Sequence, residues 1–411
     1  MDFQAENFLA TLDFDGGMDR FRGRLDFQNG SLSLAGRGPV PSRAHMEFSL
    51  YPDRAEITAL DWRTAQSHLT AQGTMDDFRL PQLRMRYDLE LDLGEGGSYV
   101  GAPGWEGDLR WTAEGGSSAT GWEFAGDMET RIVRNGIAQF RDVRWSARSK
   151  LRVTQGTAPA GSRNSSPWQA QFDGLVVTAL GGQLDGAGTV DVSSSRPITR
   201  LNLEARRISL PALLQTVRTN RFPVEQLNWA GAISGPVQVE FSGVGQNLRL
   251  GGEWQVEPPP VVPAGFLPVS GKLRGSYQAA SQRVETEELV LNLPETRLSA
   301  TGWLDTKGSQ LDLEINTTQL EESRPLARLL GERYAELPLR LSDQGAAEAR
   351  IRWVGGFPDP RFDGEFRLRS FSYQDTLWDE FAGTLRYQSD SQGEGSRRAE
   401  VLIRSGRLVK G

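Results

Sequence analysis

The chain has 411 residues, 38% of them apolar, with 46 glycines, 11 tryptophans, two histidines, no cysteine and a net charge of −7. The lack of cysteine excludes disulfides, thiol nucleophiles and thiolate metal sites. There is no basic block, so nucleic acid is not an expected partner, and no apolar run approaches the roughly 18 residues of a membrane span.

The chain opens on MDFQAENFLATLDFDGG. This has no basic segment followed by an apolar one, so it is not a signal peptide, and it enters a strand-like pattern at once. Leu83 to Leu93 reads LRMRYDLELDL. Leu83, Met85, Tyr87, Leu89, Leu91 and Leu93 alternate with Arg84, Arg86, Asp88, Glu90 and Asp92. Successive side chains on a strand point to opposite faces, so this is a strand with one apolar and one ionic face. The alternation returns in RLNLEA (Leu201, Leu203, Ala205), QLDLEINT (Leu311, Leu313, Ile315), EARIRW (Ala349, Ile351, Trp353) and EFRLRS (Phe366, Leu368).

Two short motifs repeat among these strands. Leu-x-(Ala/Gly)-x-Gly-x-apolar-Asp occurs at Leu69, Leu184 and Leu298, with a variant at Leu34. An apolar-x-Gly-x-apolar motif begins at Phe21, Trp105, Phe124, Trp229, Val269, Phe362 and Phe381. Its glycine takes an inward position, which often marks a bend, a bulge or close approach of another backbone. The 112-residue offset between Glu240–Val256 and Arg352–Leu368 and the 114-residue offset between Leu184 and Leu298 mark a long repeat. The expected organisation is one continuous body over 1–411, with units near 180–293 and 294–411 and a less regular 1–179. Such self-similar chains stack units on their neighbours. Two short capping helices are expected, Ser209–Phe222 and Ser323–Leu337, each opening on serine before proline. Loops are expected at Gly94–Gly104, Thr154–Pro167, Glu257–Gly265 and Gln388–Arg398. Both chain ends stop in or near strand pattern, so a fragment of a longer chain is expected.

Catalytic chemistry is not indicated. His45 and His68 sit on strand-like segments without metal-ligand spacing, so structural or surface roles are expected for them. No GxSxG elbow and no GxxxxGK[ST] loop occurs. A glycosidase needs only two carboxylates, but acids such as Asp88, Glu90 and Asp92 read as a solvated sheet face. The tryptophans could stack on sugars, although Trp105, Trp229 and Trp353 fall in phase with core-type residues. No enzyme, cofactor or metal is therefore expected.

The fold expected is all-β. The apolar face is either the packed interior of a sandwich or barrel, or the wall of one long, strongly curved sheet forming an open apolar groove. The residues that would line such a groove are Leu83, Met85, Tyr87, Leu89, Leu91, Leu93, Leu184, Leu201, Leu203, Leu298, Leu311, Leu313, Ile315, Ile351, Phe366 and Leu368.

The Leu-x-Ala-x-Gly-x-Leu-Asp strands, the run QLDLEINTTQLEESRPLARLL with its short helix, and the renewed sheet WVGGFPDPRFDGEFRLRSFSYQDTLWDEFAGTLRYQ resemble the AsmA-like and TamB proteins of the Gram-negative envelope. The likeness covers most of the chain and is best from about Leu175 onward. It implies a periplasmic β-groove that moves phospholipid between inner and outer membrane, holding acyl chains and using no catalytic residue. It also implies an inner-membrane anchor and an outer-membrane β-barrel partner of the Omp85 type, neither of which lies in this chain. The other readings are a scaffold for assembling outer-membrane β-barrel proteins or autotransporters, and a carbohydrate-binding β-protein.

Overall fold

The computed structural model describes residues 2–33, 39–79, 82–100, 106–118, 121–137, 140–156, 168–191, 197–216, 226–242, 246–305, 308–330, 335–355, 361–374, 376–389 and 397–408. The first strands are β1 (Asp2–Glu6), β2 (Leu9–Asp15), β3 (Arg20–Ser33), β4 (Pro39–Leu50), β5 (Arg54–Arg63), β6 (His68–Asp76) and β7 (Gln82–Asp92), followed by helix α1 (Leu93–Val100). Next come β8 (Glu106–Ser118), β9 (Gly121–Ile137), β10 (Phe140–Gly156), β11 (Trp168–Ala179), β12 (Gly182–Asp191) and β13 (Ile198–Ser209), then α2 (Leu210–Thr216). They are followed by β14 (Trp229–Ala230), β15 (Ala232–Ser242), β16 (Gln246–Glu257), β17 (Leu267–Pro268), β18 (Ser270–Gln278), β19 (Arg283–Asn292), β20 (Thr296–Leu304) and β21 (Ser309–Thr317). A 3-10 turn (Leu320–Ser323) leads into α3 (Arg324–Leu330), and β22 (Leu339–Val354), β23 (Arg361–Tyr373), β24 (Thr376–Ser389) and β25 (Arg397–Leu408) complete the order.

The protein is all-β. Every strand except β14 and β17 joins one antiparallel sheet, in which each strand from β2 onward pairs with the next main-sheet strand along the chain. The short β14 and β17 pair with each other in parallel. The main sheet does not close: β1 and β2 share one edge of β3, and β24 is the partner of β25 at the far side. Strand length exceeds the sequence-based expectation, since β9 and β10 each run 17 residues.

Alternation sets this register. Leu69, Ala71 and Gly73 of β6 face Leu89, Tyr87 and Met85 of β7, while Thr70 and Gln72 face Asp88 and Arg86. On the polar side the charges pair across strands. Arg110 reaches Asp88 at 2.6 Å, Arg352 reaches Asp312 at 2.8 Å, and Arg386 reaches Asp363 at 2.8 Å. Each such pair is exposed to solvent and screened, so it adds little to stability by itself. Their larger effect is on specificity, because a one-residue slip would put arginines among leucines in every affected strand.

Glycines recur in one row across the sheet. The register runs Leu175, Gly186, Leu203, Val237, Gly252, Gly275, Thr286, Gly302, Leu311. A Cβ on Gly186, Gly252, Gly275 or Gly302 would overlap the carbonyl oxygen of Asn202, Pro236, Glu285 or Gln310 respectively, each on an adjacent strand. Backbones thus approach closely along this row, and no side chain larger than hydrogen fits.

Helices follow strands at equivalent intervals. The Leu-x-Ala/Gly motif occupies β6, β12 and β20, and a helix or helical turn follows the next strand in each case. Gly94–Gly104 was expected to be a loop and the strand to reach Leu93; instead α1 starts at Leu93. The reason is an N-terminal cap: the Asp92 carboxylate accepts the Glu95 backbone N–H at 2.7 Å and turns the chain. Among the described residues three α-helices are therefore present where two were expected. The other two agree with expectation over Leu210–Thr216 and Arg324–Leu330. Residues 217–225 and 331–334 lie outside the described residues, as do 101–105, 157–167 and 390–396 of the expected loops and the Leu34–Gly38 part of the motif variant.

The helix ends are tied to hairpin turns. Glu95 accepts hydrogen bonds from Ser67 Oγ, Thr64 Oγ1 and the backbone N–H groups of Ala65 and Gln66, all in the β5–β6 turn. The buried Glu322, in the turn before α3, accepts the Glu295 N–H of the β19–β20 turn in the same way. Around α2 and α3, Leu227, Trp229, Val256, Val269, Leu291, Leu293 and Leu298 form a buried cluster, with Leu210, Leu214 and Leu326 packed against it. A second cluster joins Ala147, Leu175, Leu203, Ala205, Ile208 and Val237.

Two outcomes are expected. Gly302, at φ +126°, should lose roughly 1–3 kcal/mol of stability when changed to alanine. Gly251→Ala, with its nearest neighbours 3.7 Å away, should change little, as read from denaturation midpoints. Burial pushes the Glu95 carboxyl up, but the hydrogen bonds from Ser67, Thr64 and the backbone outweigh it and hold the group below the ordinary carboxylate range. Glu95 therefore contributes stability above the unfolded carboxylate pKa, and that contribution disappears as pH falls through its folded value. Amide exchange at Ala65 and Gln66 should accelerate over that acid interval, and Glu95→Gln should remove the pH dependence.

Candidate functional site: a continuous apolar face

Pairing register joins the apolar positions of successive strands into files that run across the strands. The longest begins Ala10, Leu25, Met46, Leu60, Ala71, Tyr87, Ala113, Gly126, Leu151. It continues Phe172, Gly188, Leu201, Val239, Leu250, Tyr277, Val284, Leu304. No charged residue interrupts it from β2 to β20. At roughly 4.8 Å per strand it is about 75 Å long. Neighbouring files carry Leu91, Leu109, Thr130, Ala147, Val177, Leu184 and Ala205, and farther along Trp254, Leu273, Leu289, Ala300, Leu313, Ile351, Gly364 and Leu385.

Fifteen of the sixteen residues expected to line a groove therefore lie on strands with their side chains on this face. Leu83, Met85, Tyr87, Leu89 and Leu91 are on β7; Leu184, Leu201 and Leu203 on β12 and β13; Leu298, Leu311, Leu313 and Ile315 on β20 and β21; Ile351, Phe366 and Leu368 on β22 and β23. Leu93 is the exception, displaced into α1. Leu203 and Leu298 are covered by protein neighbours in the two clusters. The other strand members are half-buried, a value between the closed interior of a sandwich and a solvated surface. The signal for the intervening files was present in the sequence, but pairing order was not, so Leu25, Met46, Leu60, Leu151, Val239 and Leu250 were missed.

Aromatic side chains thicken the face at two places. Tyr87 packs edge-on to Trp111 at 5.0 Å and to Phe124 at 5.7 Å, and Phe362 lies between Trp353 at 4.9 Å and Tyr387 at 5.1 Å. Burial pushes the Tyr87 and Tyr277 phenols up, as expected of hydroxyls held among apolar neighbours. Trp353 packs as its phase predicted, and Trp229 is buried.

The opposite face differs in kind. One concavity there, about 920 Å³, is walled by Asp312, Glu314, Arg350, Arg352, Asp363 and Arg386, whose charges pair across strands. A second lies between Arg110, Asp127, Glu129, Arg148 and Lys150. A twisted sheet is saddle-shaped and so hollow along one diagonal of each face. These hollows are open, ion-paired surface. Both histidines sit on this polar side beside carboxylates: His45 Nδ1 lies 2.7 Å from Asp26 and His68 Nε2 lies 3.2 Å from Asp61. Among the described residues no group of three or more His, Asp or Glu converges as metal ligands would.

Comparison with protein-family models, with curated proteins and with solved structures gives no match.

Replacing Leu89 by alanine, in mid-face beside Leu69 and Trp111, should cost about 1–3 kcal/mol, less than the roughly 2–5 kcal/mol of a fully buried leucine. The same change at the buried Leu298 should cost more, as measured by urea denaturation.

Proposed function

We propose that the apolar face is the wall of an open, curved groove that conducts phospholipid acyl chains through water, with no chemical step. The observation that supports this reading best is the unbroken apolar file from Ala10 to Leu304. A closed protein core needs apolar residues, but not one uninterrupted line along a single sheet. Among the described residues the only other sheet is the short β14–β17 pair, which cannot cover such a face. The rows of close-approach glycines are what a strongly bent sheet requires.

Magnitudes favour a conduit over a single-lipid pocket. A two-chain phospholipid has about 30 methylenes, and exposing them at roughly 0.8 kcal/mol each costs on the order of 20 kcal/mol. An apolar file removes most of that barrier without polar recognition. Each acyl chain spans half of a hydrocarbon core of about 30 Å, so a file of about 75 Å is several lipids long. The charged outer face keeps the body hydrated. This reading agrees with the resemblance to AsmA-like and TamB proteins. It places the chain in the Gram-negative periplasm, tethered to the inner membrane and partnered by an Omp85-type barrel at the outer one.

Photo-crosslinkers at Met85 or Leu313 should capture acyl chains, and those at Arg86 or Asp312 should not. Leu89→Glu should abolish lipid transfer between vesicles while leaving the circular dichroism spectrum unchanged. Equal labelling of both faces, or co-purification of nascent barrel protein in place of phospholipid, would contradict the proposal.

A further inference from the structure

The three helices stand at one rim of the main sheet. α1 follows β7, α2 follows β13 and α3 follows β21. Six antiparallel pairing steps separate β7 from β13, and six more separate β13 from β21. An even number of reversals restores the strand direction, so all three strands end at the same rim. Measured along the sheet, the helices recur about every 29 Å.

They are held there by different forces. Leu210 and Leu214 of α2 and Leu326 of α3 pack against the buried cluster around Trp229 and Val269. Among the described residues neither buried cluster takes a member from α1. α1 reads LGEGGSYV, with glycine at Gly94, Gly96 and Gly97. Glycine is a poor helix former, and eight residues are too few to hold a helix in water unaided. Polar contacts supply the hold instead. Asp92 caps the first turn through the Glu95 N–H. Glu95 accepts from Ser67 Oγ at 2.5 Å, Thr64 Oγ1 at 2.6 Å, and the backbone N–H groups of Ala65 at 3.1 Å and Gln66 at 3.3 Å.

The helix so tethered lies over the apolar face. A Cβ built on Gly96 would sit 3.2 Å from Leu91 Cδ1, and Leu91 stands in register with Leu109 on that face. With hydrogen in place of a methyl, the helix backbone comes down close to the Leu91 side chain.

We infer that α1 is a lid over the Leu91 end of the apolar face, and that acyl chains enter or leave the groove there when the Glu95 tether lets go. α2 and α3, held by buried leucines, are fixed closures at the equivalent places. The acyl occupant rests on the groove reading; the weak hold on α1 does not.

Two measurements test it. Amide-exchange protection in the unmodified chain should be at least tenfold lower across α1 than across α2 and α3, and Glu95→Ala should lower it tenfold further. The chain has no cysteine, and Gln66 is exposed beside Glu95. A chain carrying Gln66→Cys and Glu95→Cys can therefore be joined by a short bismaleimide that fixes α1 to the β5–β6 turn. Joining should lower phospholipid transfer between vesicles tenfold or more relative to the same protein unjoined. An α1 protected as strongly as α2 and α3 would overturn the lid. So would undiminished transfer by the joined protein while Leu89→Glu still abolishes it. Transfer indifferent to Leu89→Glu would instead overturn the groove reading and with it the acyl occupant, and the exchange measurement would still decide the lid.

Discussion

Everything in this fold depends on the two-residue alternation of apolar and charged side chains, matched from strand to strand across the bulges that interrupt many pairings. The pleat sends the two sets to opposite faces, and antiparallel pairing then turns local alternation into long-range order. Leucine is placed beside leucine and arginine beside aspartate over many strands. The cross-strand ion pairs are weak one by one, yet every one of them reports the same register. A slip in any strand would bury charge and expose leucine at once, so the apolar files and the ionic ladder enforce each other.

A single sheet of this size cannot bury its apolar face by itself. Where protein covers it, the means are local: α2 and α3 with the β14–β17 pair cap one region, and cross-strand neighbours shield Leu203 and Val237. Elsewhere the face is half-buried. Ordinary domains answer this problem with a second sheet. Here the same face runs on for about 75 Å, and the glycine row lets adjacent backbones come together where a Cβ could not. These two features are the physical content of the groove proposal: a surface too long for a core, with built-in positions for bending.

Much of this was legible in the residues. Alternation in LRMRYDLELDL gave the strand, its faces and nearly its ends, and the repeated Leu-x-Ala-x-Gly motif gave the equivalence of β6, β12 and β20. Leu93 was misplaced because its apolar character continues the period, while the signal that ends the strand is the neighbouring Asp92 acting as a helix cap. That role shows only when Glu95 stands three residues on, and the glycines around it argue for a loop. Which glycines align across the sheet was not legible either. Gly186, Gly252, Gly275 and Gly302 are far apart in the chain and meet only through pairing register. The same holds for the apolar files, whose continuity is a property of strand order and not of any one segment.

The central claim is that the apolar face holds lipid. Native mass spectrometry of the chain purified gently from a Gram-negative periplasm, with the released small molecules identified, measures this most directly. The account predicts several phospholipids per chain, fewer in Leu89→Glu, and their loss on delipidation without unfolding. A chain that carries no lipid while its half-buried leucines stay dry and protected would contradict it.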